Sequence, residues 1–151
     1  MKTMAVLIWL EVIVIILAVL VVLYLLMIMP RLTNRRERKK FLSVYYAHRG
    51  LHDNETDAPE NSMAAFRKAV EAGYGIELDV QVTKDKIPVV FHDFTLQRVC
   101  GQEGKVCDYT YEELQKFRLC KSNETIPLFE DVLKLVAGKV PLIVELKVEL
   151  T

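Results

Sequence analysis

The sequence predicts an α/β domain behind one transmembrane helix. Three observations lead to this class. An almost unbroken apolar run fills residues 4–29. After it, segments follow in the order strand–helix–strand–strand–helices–strand. These strand segments carry chemistry at an end or on one face: His48-Arg49, Glu77-x-Asp79, His92-Asp93 and Glu145-x-Lys147. In an α/β barrel every strand delivers its C-terminal end to the same rim, so parallel neighbours would bring these groups to one site.

The apolar run comes first. At 1.5 Å rise per residue it exceeds a hydrocarbon core of roughly 30 Å. A signal peptide would have an apolar region about half as long, ending in small residues. This run ends in Met29-Pro30 and a basic stretch, which predicts an uncleaved anchor. Glu11 lies inside it and is given no role; its insertion cost of about 2.5–3.5 kcal/mol is offset by the apolar residues around it. Arg31, Arg35, Arg36, Arg38, Lys39 and Lys40 follow, whereas only Lys2 and the amino terminus precede the span. The positive-inside rule then predicts a single-pass cell-membrane protein with residues 31 onward in the cytoplasm. The same cations suit anionic lipid headgroups, at about 1 kcal/mol each, although a topology signal alone explains them. The expected division is an anchor at 1–30, a basic juxtamembrane linker at 31–40 and a globular domain at 41–151.

Charge follows this division. Residues 1–40 carry about +5 and residues 41–151 about −5. An acidic domain with scattered cations excludes nucleic-acid binding, because neutralising phosphates takes clustered Lys and Arg. Cys100, Cys107 and Cys120 are odd in number and show no metal-ligand spacing, which predicts free thiols.

Residues 41–47 (FLSVYYA) read as a first strand, ending in His48-Arg49-Gly50, where Gly50 permits a sharp turn. A polar loop follows. Asn61 or Ser62 caps a helix whose core face is Met63, Phe66, Ala69 and Val70, with Gly73 as its stop. Residues 75–82 and 87–92 are rich in β-branched residues and predict two strands. So short a link between them reads most simply as a hairpin. Residues 95–109 form a loop. Thr110 and Glu113 have capping-box spacing. A helix is expected at 128–137, and a buried strand at 140–148.

Glu77 and Asp79 are two apart, so on a strand they share a face. Adjacent carboxylates repel, and the pair makes sense around a hard divalent cation such as Ca²⁺ or Mg²⁺. Alone, Glu-x-Asp and His-Asp are as readily solvent-facing surface features. Together, the four motifs offer three carboxylates, two histidines, an arginine and a lysine. A cation with Arg and Lys suits a phosphodiester, whose negative charge must be offset in the transition state. Two histidines can provide one base and one acid near neutral pH.

Six segments carry a resemblance: AHRG at 47–50, PENS at 59–62, ELDV at 77–80, VVFHD at 89–93, IPLFEDVL at 126–133 and VELK at 144–147. In this order and spacing, residues 46–147 resemble the glycerophosphodiester phosphodiesterase family, a branch of the phospholipase-C-like phosphodiesterase TIM barrels. The resemblance implies that Glu77, Asp79 and Glu145 bind Ca²⁺ or Mg²⁺. It makes His48 and His92 the acid–base pair and puts Arg49 and Lys147 on the phosphate. The implied activity is hydrolysis of glycerophosphodiesters to glycerol 3-phosphate and an alcohol. Lysophospholipids are the alternative substrate, and a truncated inactive membrane protein is the alternative to an enzyme.

The resemblance also replaces the hairpin at residues 75–92 with a parallel pair. Glu60 and Asn61 match the family and are taken mainly as loop and cap residues. Asp93 either orients His92 or begins the next loop, and His52 is expected to be exposed. The cysteines, Phe66 and Tyr74 are expected to be structural. A full barrel takes about 250 residues, and residues 41–151 supply about half. A fragment of a longer product and a truncated inactive product are favoured over a half-barrel that dimerises. An open sheet edge would still invite association.

Overall fold

The computed structural model describes residues 2–29 and 35–148. The chain divides into two compact units, Met1–Arg38 and Lys39–Thr151. The first contains helix α1, Lys2–Ile28. Its Leu7–Ile28 stretch is long and apolar enough to cross a membrane, a test that a signal sequence also passes. Apart from Glu11, the residues of this helix from Leu7 to Ile28 are predominantly apolar on every side.

The basic stretch is helical over α2, Arg35–Leu42. Arg31 lies outside the described residues. The expected strand from residue 41 is therefore corrected: Phe41 and Leu42 complete α2, and strand β1 is Tyr46–His48. Arg, Glu and Lys are good helix formers, and they carry the helix past the first aromatic residue. Ser43 Oγ then donates to Lys39 O at 2.9 Å, satisfying a carbonyl at the helix end.

Helix α3, Met63–Glu71, starts at Ser62, whose side chain accepts from the Ala65 amide. Strand β2 is Gly75–Val82, β3 is Pro88–Val90 and β4 is Leu142–Leu146. β2 is the centre of the sheet. β4 pairs parallel to it over Ile76–Val80, leaving the other edge to two partners. β1 runs parallel against Gly75–Glu77, and β3 runs antiparallel against Val80–Val82.

The β2–β3 pairing corrects the parallel arrangement that the resemblance implied. A parallel crossover needs a dozen or more residues, and the link at 83–87 is far shorter. It closes as a turn: Thr83 N donates to Ile87 O and Lys86 N to Thr83 O, both at 3.0 Å. Thr83 Oγ1 accepts from Ile87 N at 2.9 Å. The hairpin read from the length of the link is the one formed.

The alternation along β2 separates two environments. Ile76, Leu78 and Val80 pack with Phe66 and Ala69 of α3 and with Val132 and Val136. The last two belong to α6, Phe129–Val136. Glu77, Asp79 and Gln81 occupy the opposite face. A second core gathers Val89, Phe91, Leu96, Val99, Leu114 and Ile126. It closes the long loop around two short helices, α4 (Gln97–Cys100) and α5 (Tyr111–Leu114). Thr110 and Glu113 form the expected capping box. On β4, Ile143, Val144 and Leu146 are exposed. No described strand pairs with its outer edge. Cys100, Cys107 and Cys120 are free thiols.

Candidate metal and acid–base site

The polar face of β2 meets β4 at one point. Asp79 and Glu145 are register partners, and one carboxylate oxygen each from Glu77, Asp79 and Glu145 lie within 4.8 Å of one another. Asp79 is buried, Glu77 partly so, and Glu145 exposed. Three carboxylates this close repel unless cations compensate. Lys147, two residues beyond Glu145, supplies one: its Nζ donates to Glu145 Oε1 at 2.6 Å and lies 3.3 Å from Asp79 Oδ1. The Lys147 hydrogen bond holds the Glu145 carboxyl below its ordinary value, with smaller help from the charges of His92 and Arg49. The same bond, with the nearby charge of Asp79, raises the Lys147 ammonium.

The loop after β1 brings the second cation. Arg49 takes a left-handed φ of 57°. Its amide donates to Glu77 O at 2.9 Å, which locks this turn onto β2. Arg49 Nε lies 3.8 Å from Asp79 Oδ2, and Nη1 donates to Glu60 Oε2 at 3.0 Å. Gly50 follows at φ 85°, where a Cβ would stand 2.9 Å from Ala65 Cβ. The loop therefore lies directly on α3. Asn61 Nδ2 donates to Asp79 Oδ2 at 3.2 Å.

Two histidines flank the carboxylates. His48, largely exposed at the end of β1, has Nε2 3.8 Å from Glu77 Oε2. His92 lies just past β3, with Nδ1 2.7 Å from Asp93 Oδ1. Arg98 grips Asp93 through Nε to Oδ2 at 2.6 Å and Nη2 to Oδ1 at 2.9 Å. Nη2 also reaches Glu60 Oε1. The Arg98 hydrogen bonds are the main reason the Asp93 carboxyl falls to about 2. Burial alone would raise Glu60, but its bonds to Arg98 and Arg49 outweigh burial and lower it. Gln81 Nε2 donates to Phe91 O at 2.9 Å and Asp93 O at 2.7 Å, holding the backbone on both sides of His92.

The donor set fits a hard divalent cation. All three carboxylates offer oxygen, the ligand such ions take. Asp79 Oδ1 is buried without a hydrogen bond, as are the Arg49 Nε donor and the Asn61 Oδ1 acceptor. These groups leave unused capacity for a cation and for an anionic oxygen beside it.

A sequence model described as the glycerophosphoryl diester phosphodiesterase family matches residues 48–151. The chain belongs to that family. Among its relatives, a glycerophosphodiester phosphodiesterase of Bacillus altitudinis is 46% identical over 101 residues, covering 62% of this chain and 40% of its own length. Human glycerophosphodiester phosphodiesterase 1 is 46% identical over 71 residues, covering 46% of this chain and 20% of its own. A phosphodiesterase of Oleispira antarctica, solved with its product sn-glycerol-3-phosphate, superimposes with a TM-score of 0.63 at 31% identity. That match covers 72% of this chain and 46% of the solved one. The enzyme of Agrobacterium tumefaciens gives 0.63 at 28% identity, over 71% and 48%. These phosphodiesterases are TIM barrels, and the chain spans less than half the length of each relative compared.

Within this family fold, every residue proposed for the site has a defined position. Glu77, Asp79 and Glu145 converge, with Arg49 and Lys147 against them and His48 beside Glu77. His92 is held separately by Asp93. His52 is half-buried rather than exposed, because its Nδ1 donates to His48 O at 3.1 Å within the tight turn. Sequence reasoning missed Gln81, Arg98 and the bridging role of Glu60. Gln81 continues the Glu77-x-Asp79 alternation, which was a usable signal. Arg98 stands in α4, a helix of four residues, too short for periodicity to expose it.

Proposed function

We propose that the chain carries the cation-binding and acid–base residues of a metal-dependent phosphodiesterase that hydrolyses glycerophosphodiesters to glycerol 3-phosphate and an alcohol. The convergence of Glu77, Asp79 and Glu145, with Lys147 and Arg49 alongside, supports this reading most strongly. Glu77, Asp79 and Glu145 would hold Ca²⁺ or Mg²⁺. When bound, such an ion supplies Lewis-acid polarisation of a phosphoryl oxygen. Arg49 offers its unbonded Nε to a phosphate oxygen, and Lys147 adds a point charge. The two cations offset the charge that grows on phosphorus-bound oxygens as the ester breaks. His92, with Nδ1–H on Asp93, leaves Nε2 free to exchange a proton. His48 provides the second exchange, so that one histidine deprotonates the attacking group and the other protonates the departing alcohol.

A coupled assay for glycerol 3-phosphate tests the proposal. Glycerophosphocholine is supplied to the 151-residue chain with and without Mg²⁺ or Ca²⁺. Metal-dependent release that disappears in His48→Ala and His92→Ala is the expected result. Undiminished release in either variant rejects the acid–base assignment, and no release from the wild type rejects turnover by this chain alone.

The apolar helix over Leu7–Ile28 favours a second reading, a lysophospholipase-D-like activity on lysophospholipids beside a bilayer. Comparing lysophosphatidylcholine with glycerophosphocholine in the same assay separates the two. In either case the proposed organisation is a single-pass membrane anchor at 1–30, a basic linker at 31–40 and a cytoplasmic partial barrel at 41–151. The uncovered edge of β4 is the proposed contact with a second copy.

A further inference from the structure

We propose that Arg98 is a positioning residue for His92, acting through Asp93. The proposal rests on the acid–base reading of His92 and extends it to a residue the sequence did not point to. His92 Nδ1 meets Asp93 Oδ1 at 2.7 Å. A proton on Nδ1 leaves the Nε2 lone pair available, so the state of His92 depends on where that carboxylate stands. Among the described residues, Arg98 is the other side chain bonded to the Asp93 carboxylate. It takes both oxygens, at 2.6 and 2.9 Å, which fixes the plane of the carboxylate as well as its charge.

The guanidinium is itself held. Nη2 reaches Glu60 Oε1, and the other oxygen of Glu60 takes Arg49 Nη1 at 3.0 Å. Glu60 is only 5% exposed. The next residue, Val99, is buried in the second core, so Arg98 projects from an anchored turn. One series of contacts thus runs from the arginine beside Asp79 to the ring of His92. Gln81 holds the backbone around His92 but makes no bond to the ring. The orientation of the ring is left to Asp93, and that of Asp93 to Arg98.

The test reads the ring directly. The full chain, labelled with ¹⁵N-histidine, is held at pH 8, above the ordinary histidine value of about 6.5. A two-bond proton–nitrogen spectrum then reports which nitrogen of each ring carries the proton. In the wild type His92 is expected in the Nδ1–H form. In Arg98→Met the ratio of Nδ1–H to Nε2–H falls by about tenfold, as loss of a charge-supported hydrogen bond requires. His52, whose Nδ1 donates to backbone carbonyls in a separate turn, keeps its signal and reports an intact fold. Should His52 move as well, Arg98→Lys decides, because it keeps the charge with one donor in place of a fork; its ratio falls by a smaller factor. An unchanged His92 ratio in either variant, with His52 unmoved, overturns the proposal. In the turnover assay, Arg98→Lys lowers kcat and leaves KM close to the wild-type value. A rise in KM alone would put Arg98 on the substrate and overturn its role through His92. Absence of wild-type turnover would reject turnover by this chain alone and leave the spectrum as the deciding test of Arg98.

Discussion

Asp79 and Glu145 are register partners on the parallel strands β2 and β4. Neighbouring strands lie about 4.8 Å apart, so two carboxylates on one face meet without any long reach. Glu77 joins them because it is two residues before Asp79. The cluster is therefore a product of strand pairing and depends on β4 being docked.

Asp79→Asn keeps the size and removes the buried charge. Bound Ca²⁺ or Mg²⁺ should raise the Tm of the wild type, because a ligand that binds only the native state stabilises it. The variant should show no such rise. Its turnover should fall by more than the ~10–100-fold typical of losing a residue that merely supports a metal ligand. Scanning calorimetry with and without the ion, and the glycerol 3-phosphate assay, check both.

The Asp93–Arg98 pair predicts an acid-sensitive part of stability. Asp93 sits at about 2 against 3.8 for the free side chain. Its stabilisation is complete above about pH 4 and is lost as pH falls through about 2. The amount is at most about 2 kcal/mol, and less because the Arg98 side chain is 48% exposed to screening solvent. Asp93→Asn should be less stable than the wild type at pH 7 in urea unfolding. That difference should close by about pH 2.

Gly50→Ala should destabilise by more than about 1 kcal/mol, since φ is 85° and the new methyl group would press on Ala65. The Arg49 turn lies between Gly50 and β2, so cation affinity should fall with stability. Urea unfolding and calorimetric titration with Ca²⁺ measure the two.

Alkaline carbonate extraction tests the anchor. The full chain should remain in the membrane pellet, and a variant lacking residues 7–28 should appear in the supernatant. Recovery of the full chain in the supernatant would remove the membrane from the proposed function.

The shared face of Glu77 and Asp79 was legible because the period of a strand is two, whereas their meeting with Glu145 was implied by the family likeness and depends on the β2–β4 register. The core face of α3 was legible for the same kind of reason, with Phe66 and Ala69 one turn apart. The start of β1 was not, because the aromatic content of residues 41–47 favoured a strand while the Arg and Lys before them continued a helix. The β2–β3 pairing was legible from the length of the link, yet family likeness pointed the other way. Arg98 and Glu60 meet across 38 positions of sequence. Their partnership depends on how the loop before α3 and the short helix α4 fold against each other, and no local pattern encodes that.

The hairpin has a mechanical consequence. β2 runs three residues past Asp79, turns, and brings the chain back so that Phe91 N donates to Asp79 O at 2.9 Å. The residue before His92 is thus fastened to the backbone of a carboxylate proposed to bind the cation. Thermal motion of the loop beyond cannot slide one relative to the other without breaking that link. The ring proposed to exchange a proton and the carboxylates proposed to hold the cation are thus tied through the backbone of the hairpin, while the turn at 83–87 is itself fastened to the next loop by Lys84 N to Tyr109 O at 2.8 Å.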